Sequence, residues 1–63
     1  MTYKRLLELA ANEALRIWGE ESKYLEQNPD SLMNKIREHN ARDEYEQIRT
    51  ALIKEEEAMR SRA

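Results

Sequence analysis

One break divides this chain into two segments that both favour helix: the tetrapeptide Asn-Pro-Asp-Ser at positions 28–31. Proline disfavours a helical conformation in the residue before it, so a first helix has to end near Gln27. Pro29 is the only proline and Gly19 the only glycine, and the remaining residues are rich in helix formers. The chain is therefore predicted to be all-α and to form a single small helical domain over residues 1–63.

The first segment is predicted to form an amphipathic helix over about residues 3–27. Its apolar residues recur at spacings of three and four, which places them on one face of a helix. Thr2 suits the N-cap, because its hydroxyl can accept a hydrogen bond from a free backbone N–H of the first turn. The same phase continues beyond Gly19, so the helix is expected to run through that residue. The apolar face consists of Tyr3, Leu7, Ala10, Ala11, Ala14, Ile17, Trp18, Tyr24 and Leu25.

The second segment is predicted to form a helix over about residues 30–59, with Asn28 as its cap and Pro29 in its first turn. Its apolar residues fall into two groups, whose directions differ by about a third of a turn when counted at 100° per residue. The first group is Leu32, Met33 and Ile36, and the second is Ala41, Tyr45, Ile48, Leu52 and Met59.

Two architectures follow from that change of direction. In the first, one long helix changes partner halfway, so that the first group packs within the chain and the second against another subunit. In the alternative, the segment breaks near residues 39–40, where Asn40 can end one helix or cap the next, and the chain forms a three-helix bundle. No glycine or proline marks the junction, which favours the continuous helix.

The small size of the chain bears on its oligomeric state. A domain of 63 residues buries only about 60% of the surface that its unfolded chain exposes, so small domains usually need an additional means of stabilisation. There is no cysteine and only one histidine, which leaves no disulfide and no ligand set for a structural zinc. We therefore expect an antiparallel helical hairpin that forms a homodimeric four-helix bundle, binds another protein, or does both.

Five residues are predicted to form the protein interface. Tryptophan is enriched at interface hot spots, although for a small domain the favoured interpretation is that Trp18 anchors the domain's own core. The second apolar group cannot face the same neighbour as the first, so its large members are the better candidates for an interface. The predicted interface residues are Trp18, Tyr45, Ile48, Leu52 and Met59.

Several other functions find little support in the sequence. With 13 acidic and 11 basic residues interspersed and a net charge of −2, the chain lacks the basic footprint of a nucleic-acid-binding protein. No catalytic, cofactor-binding or metal-binding motif is present, and the single histidine, His39, has no carboxylate three residues before it. No apolar run approaches the ~20 residues that a membrane span requires, and a cytoplasmic location is the default expectation.

The sequence thus predicts a non-enzymatic protein-interaction module, such as a small adaptor, inhibitor or regulatory subunit. Ile48→Asp and Leu52→Asp are expected to weaken association while preserving much of the helicity. The alternative is a small dimeric regulator associated with nucleic acid, for which scattered basic and amide side chains offer a weak signal. Those side chains are Asn34, Lys35, Arg37, Asn40, Arg42 and Arg49.

Overall fold

The computed structural model describes residues 2–62, which form two antiparallel α-helices. Helix α1 spans Tyr3–Gln27 and helix α2 spans Leu32–Arg62. The hairpin measures 50 × 18 × 12 Å. Its radius of gyration is 14.7 Å, compared with about 11 Å for a compact domain of the same length. The predicted all-α hairpin is confirmed, and it is long and thin.

The ends of α1 are closed by hydrogen bonds from the flanking residues. The Thr2 hydroxyl oxygen accepts from the backbone N–H of Arg5 at 3.1 Å, as the sequence predicts for an N-cap. At the other end, the backbone N–H of Asn28 donates to the carbonyls of Tyr24 at 3.1 Å and Leu25 at 3.2 Å. The end of α1 at Gln27 is therefore as expected.

The prediction for the start of α2 was wrong by two residues. The backbone N–H of Ser31 donates to the Asn28 carbonyl at 3.1 Å, so Pro29 and Asp30 occupy the centre of a tight turn. The Ser31 hydroxyl oxygen then accepts from the N–H of Asn34 at 3.2 Å. Ser31, and not Asn28, is thus the N-cap of α2, because Pro29 is used to close the turn.

Helix α2 runs without a break from Leu32 to Arg62. His39 and Asn40 lie inside it with helical neighbours on both sides. The continuous helix is therefore confirmed, and the three-helix bundle was wrong. Asparagine is only a weak helix breaker, and the residues that flank the junction are strong enough helix formers to carry the helix through.

The contact between the helices is a narrow seam. Side chains that are buried or half-buried recur along each helix at alternating spacings of three and four, as in an antiparallel coiled coil. Among residues 2–62, only Ala14 and Ala41 are buried, with 7% and 8% of their surface exposed. The apolar members of the seam are Leu7, Ala11, Ala14, Trp18, Leu25, Ala41, Tyr45, Ile48 and Leu52.

The first apolar group of α2 does not pack within the chain as predicted, whereas most of the second group does. Leu32 and Met33 are 71% and 64% exposed, and Ile36 is exposed as well. Ile48 and Leu52, from the second group, are half-buried on the side of α2 that carries buried Ala41. Ile48 and Leu52 share one side of α2 with Ala41, and this side packs in the seam. The first group points in a different direction and therefore lies on the side of α2 away from the seam.

Gly19 offers a direct test of helix propensity in this hairpin. The residue lies inside α1 with a negative φ, and a Cβ added there would have no atom within 4 Å. Replacing glycine by alanine inside a helix is favourable by roughly 1 kcal/mol. We therefore expect Gly19→Ala to raise the free energy of unfolding by about 1 kcal/mol in urea titrations followed by circular dichroism. A lower unfolding midpoint would show that the backbone needs glycine at this position.

Candidate protein-interaction surface

Four of the five predicted interface residues lie in the seam within one chain. Trp18, Tyr45, Ile48 and Leu52 are half-buried, whereas Met59 is exposed near the end of α2. A charge at Ile48 or Leu52 would therefore disturb the hairpin itself as well as any partner contact. Their role toward a partner stays a prediction.

Trp18 connects α1 to two residues of α2 that are seven positions apart. Its indole N–H donates to the Glu38 carboxylate at 2.8 Å. Its ring lies 5.7 Å from that of Tyr45, centroid to centroid, with the planes tilted by 32°. This separation is typical of favourable aromatic pairs. The side chain is thus an anchor of the hairpin, which was the competing interpretation of its role.

A second apolar line runs along α1 beside the seam. It is formed by four residues at intervals of seven, Tyr3, Ala10, Ile17 and Tyr24, and is called the α1 stripe below. All four belong to the apolar face predicted for α1. In the structure Tyr3, Tyr24 and Ile17 are 59%, 52% and 38% exposed, and Ala10 is exposed too.

The two broad sides of the hairpin differ in character. Ile17 shares a groove with Glu21, Arg37 and Glu44, which places the α1 stripe on one side. Leu15 shares a groove with Tyr45 on the other side. That second groove is lined by Ala11, Leu15, Leu52 and the ring of Tyr45 as well as by the polar or charged side chains of Glu8, Asn12 and Arg49. Leu15 is the exposed large apolar residue of that groove, whereas the α1 stripe carries three, Tyr3, Ile17 and Tyr24.

Both arginines of α1 pair with neighbouring carboxylates. Arg16 pairs with Glu13 and, at 2.6 Å, with Glu20. Arg5 lies 3.7 Å from Glu8. The hydrogen bond from Arg16 lowers the pKa of the Glu13 carboxyl, and the same contact raises the pKa of Arg16. These pairs are exposed and add little stability, but they neutralise the positive charge along the outer side of α1.

One ion pair crosses between the helices at the edge of the α1-stripe side. Arg37 Nε lies 3.4 Å from Glu21 Oε2, and the Glu21 side chain is only 14% exposed. The geometry does not make a hydrogen bond, which leaves this carboxylate oxygen without a donor. Electrostatic attraction at this distance keeps the Arg37 guanidinium near the Glu21 carboxylate, although Oε2 accepts no hydrogen bond.

His39 lies on the solvent side of α2 in a small polar cluster. Its Nε2 is 3.0 Å from Asp43 Oδ2, and its Nδ1 is 3.1 Å from Arg42 Nη2. Arginine carries only donors, so Nδ1 accepts in this contact and Nε2 is the nitrogen that faces Asp43 with its proton. General base catalysis would also need a substrate bound within reach of this exposed imidazole.

The remaining features give no indication of a small-molecule site. Within residues 2–62, no three or more histidine, aspartate or glutamate side chains are grouped closely enough to hold a metal ion. One groove on α2 is lined only by the polar residues Asp43, Glu46, Gln47 and Thr50. Neither helix, over its described length, combines the length and apolar character needed to cross a membrane.

Comparison with known proteins does not assign the chain to a family. No family model matches it, no curated protein is similar to it, and no solved structure resembles it at a significant level.

Proposed function

We propose that this chain is a non-enzymatic protein-interaction module that self-associates into a four-helix bundle. The observation that carries the proposal is the lack of a core in the isolated hairpin. Ala14 and Ala41 alone are buried among the described residues, while large apolar side chains are exposed along both helices. Two buried methyl groups and a seam of half-buried side chains offset little of the conformational entropy of ordering two long helices.

The size of the exposed surface supports the same conclusion. The hairpin exposes 5052 Å², whereas a compact monomer with the mass of this chain, 7.6 kDa, exposes about 4300 Å². The excess of roughly 750 Å² is close to the ~800 Å² that each partner buries in a stable interface of standard size. Association with one further protein surface would bring the exposed area of the hairpin to that of an ordinary small domain.

Sedimentation equilibrium over a concentration series tests the proposal. We expect a mass of two chains at tens of micromolar, with dissociation and loss of helicity together on dilution. A single chain that remains fully helical and unfolds cooperatively at all concentrations would contradict the proposal, because the hairpin would then be stable without any partner.

The nucleic-acid alternative is less well supported by the arrangement of charge. Of the basic residues that carry this alternative, Arg37 pairs with Glu21 across the hairpin and Arg42 contacts His39, and acidic residues are interspersed with the others along α2. A phosphate-binding surface needs cations that are free to replace counterions. Binding to duplex DNA or RNA that falls steeply with salt concentration would favour this alternative.

A further inference from the structure

We infer that the second subunit is another copy of this chain, bound through the α1 stripe with the two α1 helices antiparallel. The inference deepens the proposed function and rests on it, since it names the partner and the surface. Two observations carry it: the self-complementary order of large and small residues in the α1 stripe and its exposure beside the seam.

The α1 stripe can pair with an antiparallel copy of itself. A two-fold axis passing between Glu13 and Ala14 would place Tyr3 against Tyr24 of the second copy, and Ala10 against Ile17. Each large aliphatic side chain then meets a small one, and the aromatic residues pair at both ends. A two-fold interface must be self-complementary in this manner, because residue i contacts residue j and j contacts i.

The structure shows that this line is available to a partner. Three of its side chains are 38–59% exposed, although they belong to the apolar arc of α1. From Tyr3 to Tyr24 the stripe is about 32 Å long at 1.5 Å per residue. Together with the adjoining half of α2, a surface of this length on the 50 × 18 Å side of the hairpin is large enough for the ~800 Å² of a standard interface.

The charged residues of α2 beside Ile17 indicate that α1 is the inner helix of the dimer. Arg37 and Glu44 are exposed and border the same groove as Ile17. Charged residues of this kind belong at the rim of an interface, where water can complete their hydrogen bonds. The apolar contact is therefore made by the two α1 helices, with the α2 helices flanking them.

Matched aspartate variants test which surface is used. Ile17 and Leu15 are two residues apart on α1, are exposed to similar extents, and lie on opposite broad sides of the hairpin. In sedimentation equilibrium we expect Ile17→Asp to raise the dimer dissociation constant at least 100-fold, because the change occurs twice per dimer. Leu15→Asp is expected to change it less than about threefold. Equal effects of the two variants would overturn the inference.

Spin-label distances test the orientation without altering the α1 stripe. The chain contains no cysteine, so single cysteines at Arg5, Asn12 and Lys23 give unique labels on the exposed side of α1. For an antiparallel pair centred between Glu13 and Ala14, the axial separations of like labels are about 26, 5 and 29 Å, respectively. The Asn12 label should therefore give the shortest distance between subunits. Three equal distances would indicate a parallel dimer and overturn the inference.

These outcomes separate the inference from the proposed function. A dimer that survives Ile17→Asp, or whose labels show another arrangement, contradicts the α1 stripe as the interface but leaves self-association intact. A wild-type chain that stays monomeric and poorly helical overturns the second copy as partner, while an interaction module for a different protein still stands.

Discussion

Trp18→Ala is expected to lower the free energy of unfolding by about 2–3 kcal/mol, the largest loss for any single truncation in the hairpin. Fully buried tryptophan or phenylalanine costs roughly 3–5 kcal/mol when truncated, and Trp18 is half-buried. The variant loses the contact with the Tyr45 ring and leaves Glu38 without its indole donor. For a domain of this size, such a loss lowers the melting temperature by more than about 10 °C.

Two control variants separate the parts of that effect. Trp18→Phe keeps an aromatic ring beside Tyr45 but removes the hydrogen bond to Glu38, so a loss of about 1 kcal/mol is expected. Leu15→Ala removes an exposed side chain from the same helix and should stay within about 0.5 kcal/mol of wild type. All variants have to be melted at one chain concentration, because dimerisation makes the melting temperature depend on it. Equal melting temperatures for Trp18→Ala and Leu15→Ala would contradict the anchoring role.

The hairpin itself could be predicted from the sequence because its signals are local. Pro29 ends the first helix through a steric clash with the preceding residue, and Thr2 caps it with its own hydroxyl. The start of α2 was missed by two residues because Pro29 can serve either as the first residue of a helix or as part of a turn. The hydrogen bonds of Ser31 select the turn, and nothing in the sequence near Pro29 decides between the two.

The division of apolar residues between the seam and the surface could not be predicted. The apolar arc of α1 covers about 140° at 100° per residue, which is more than a single neighbouring helix covers. Whether Ala14 or Ala10 faces α2 therefore depends on α2, whose own apolar residues point in two directions. The structure selects the arrangement in which Ala14 and Ala41 are both buried, and this choice leaves the α1 stripe, Leu32 and Met33 outside.

The burial of Ala14 leads to the second prediction with a large expected effect. Ala14 and Ala41 are the only buried side chains in the part of the chain that the structure describes, and both are small. A small side chain at a helix contact allows the two backbones to approach closely, within the usual 8–10 Å between axes. Ala14→Leu would push the helices apart, and overpacking of this kind costs about 1–3 kcal/mol. Urea unfolding followed by circular dichroism measures the loss.

Asn12→Leu is the matched control, since it adds a leucine at an exposed position on the same helix and should not destabilise the hairpin. If Ala14→Leu is as stable as Asn12→Leu, the spacing of the helices is not set by alanine. Adding Ala41→Leu to Ala14→Leu tests whether the two alanines share one contact. Additive losses would place them in separate parts of the seam, whereas a coupling above about 0.5 kcal/mol would place both side chains at one close approach of the helices.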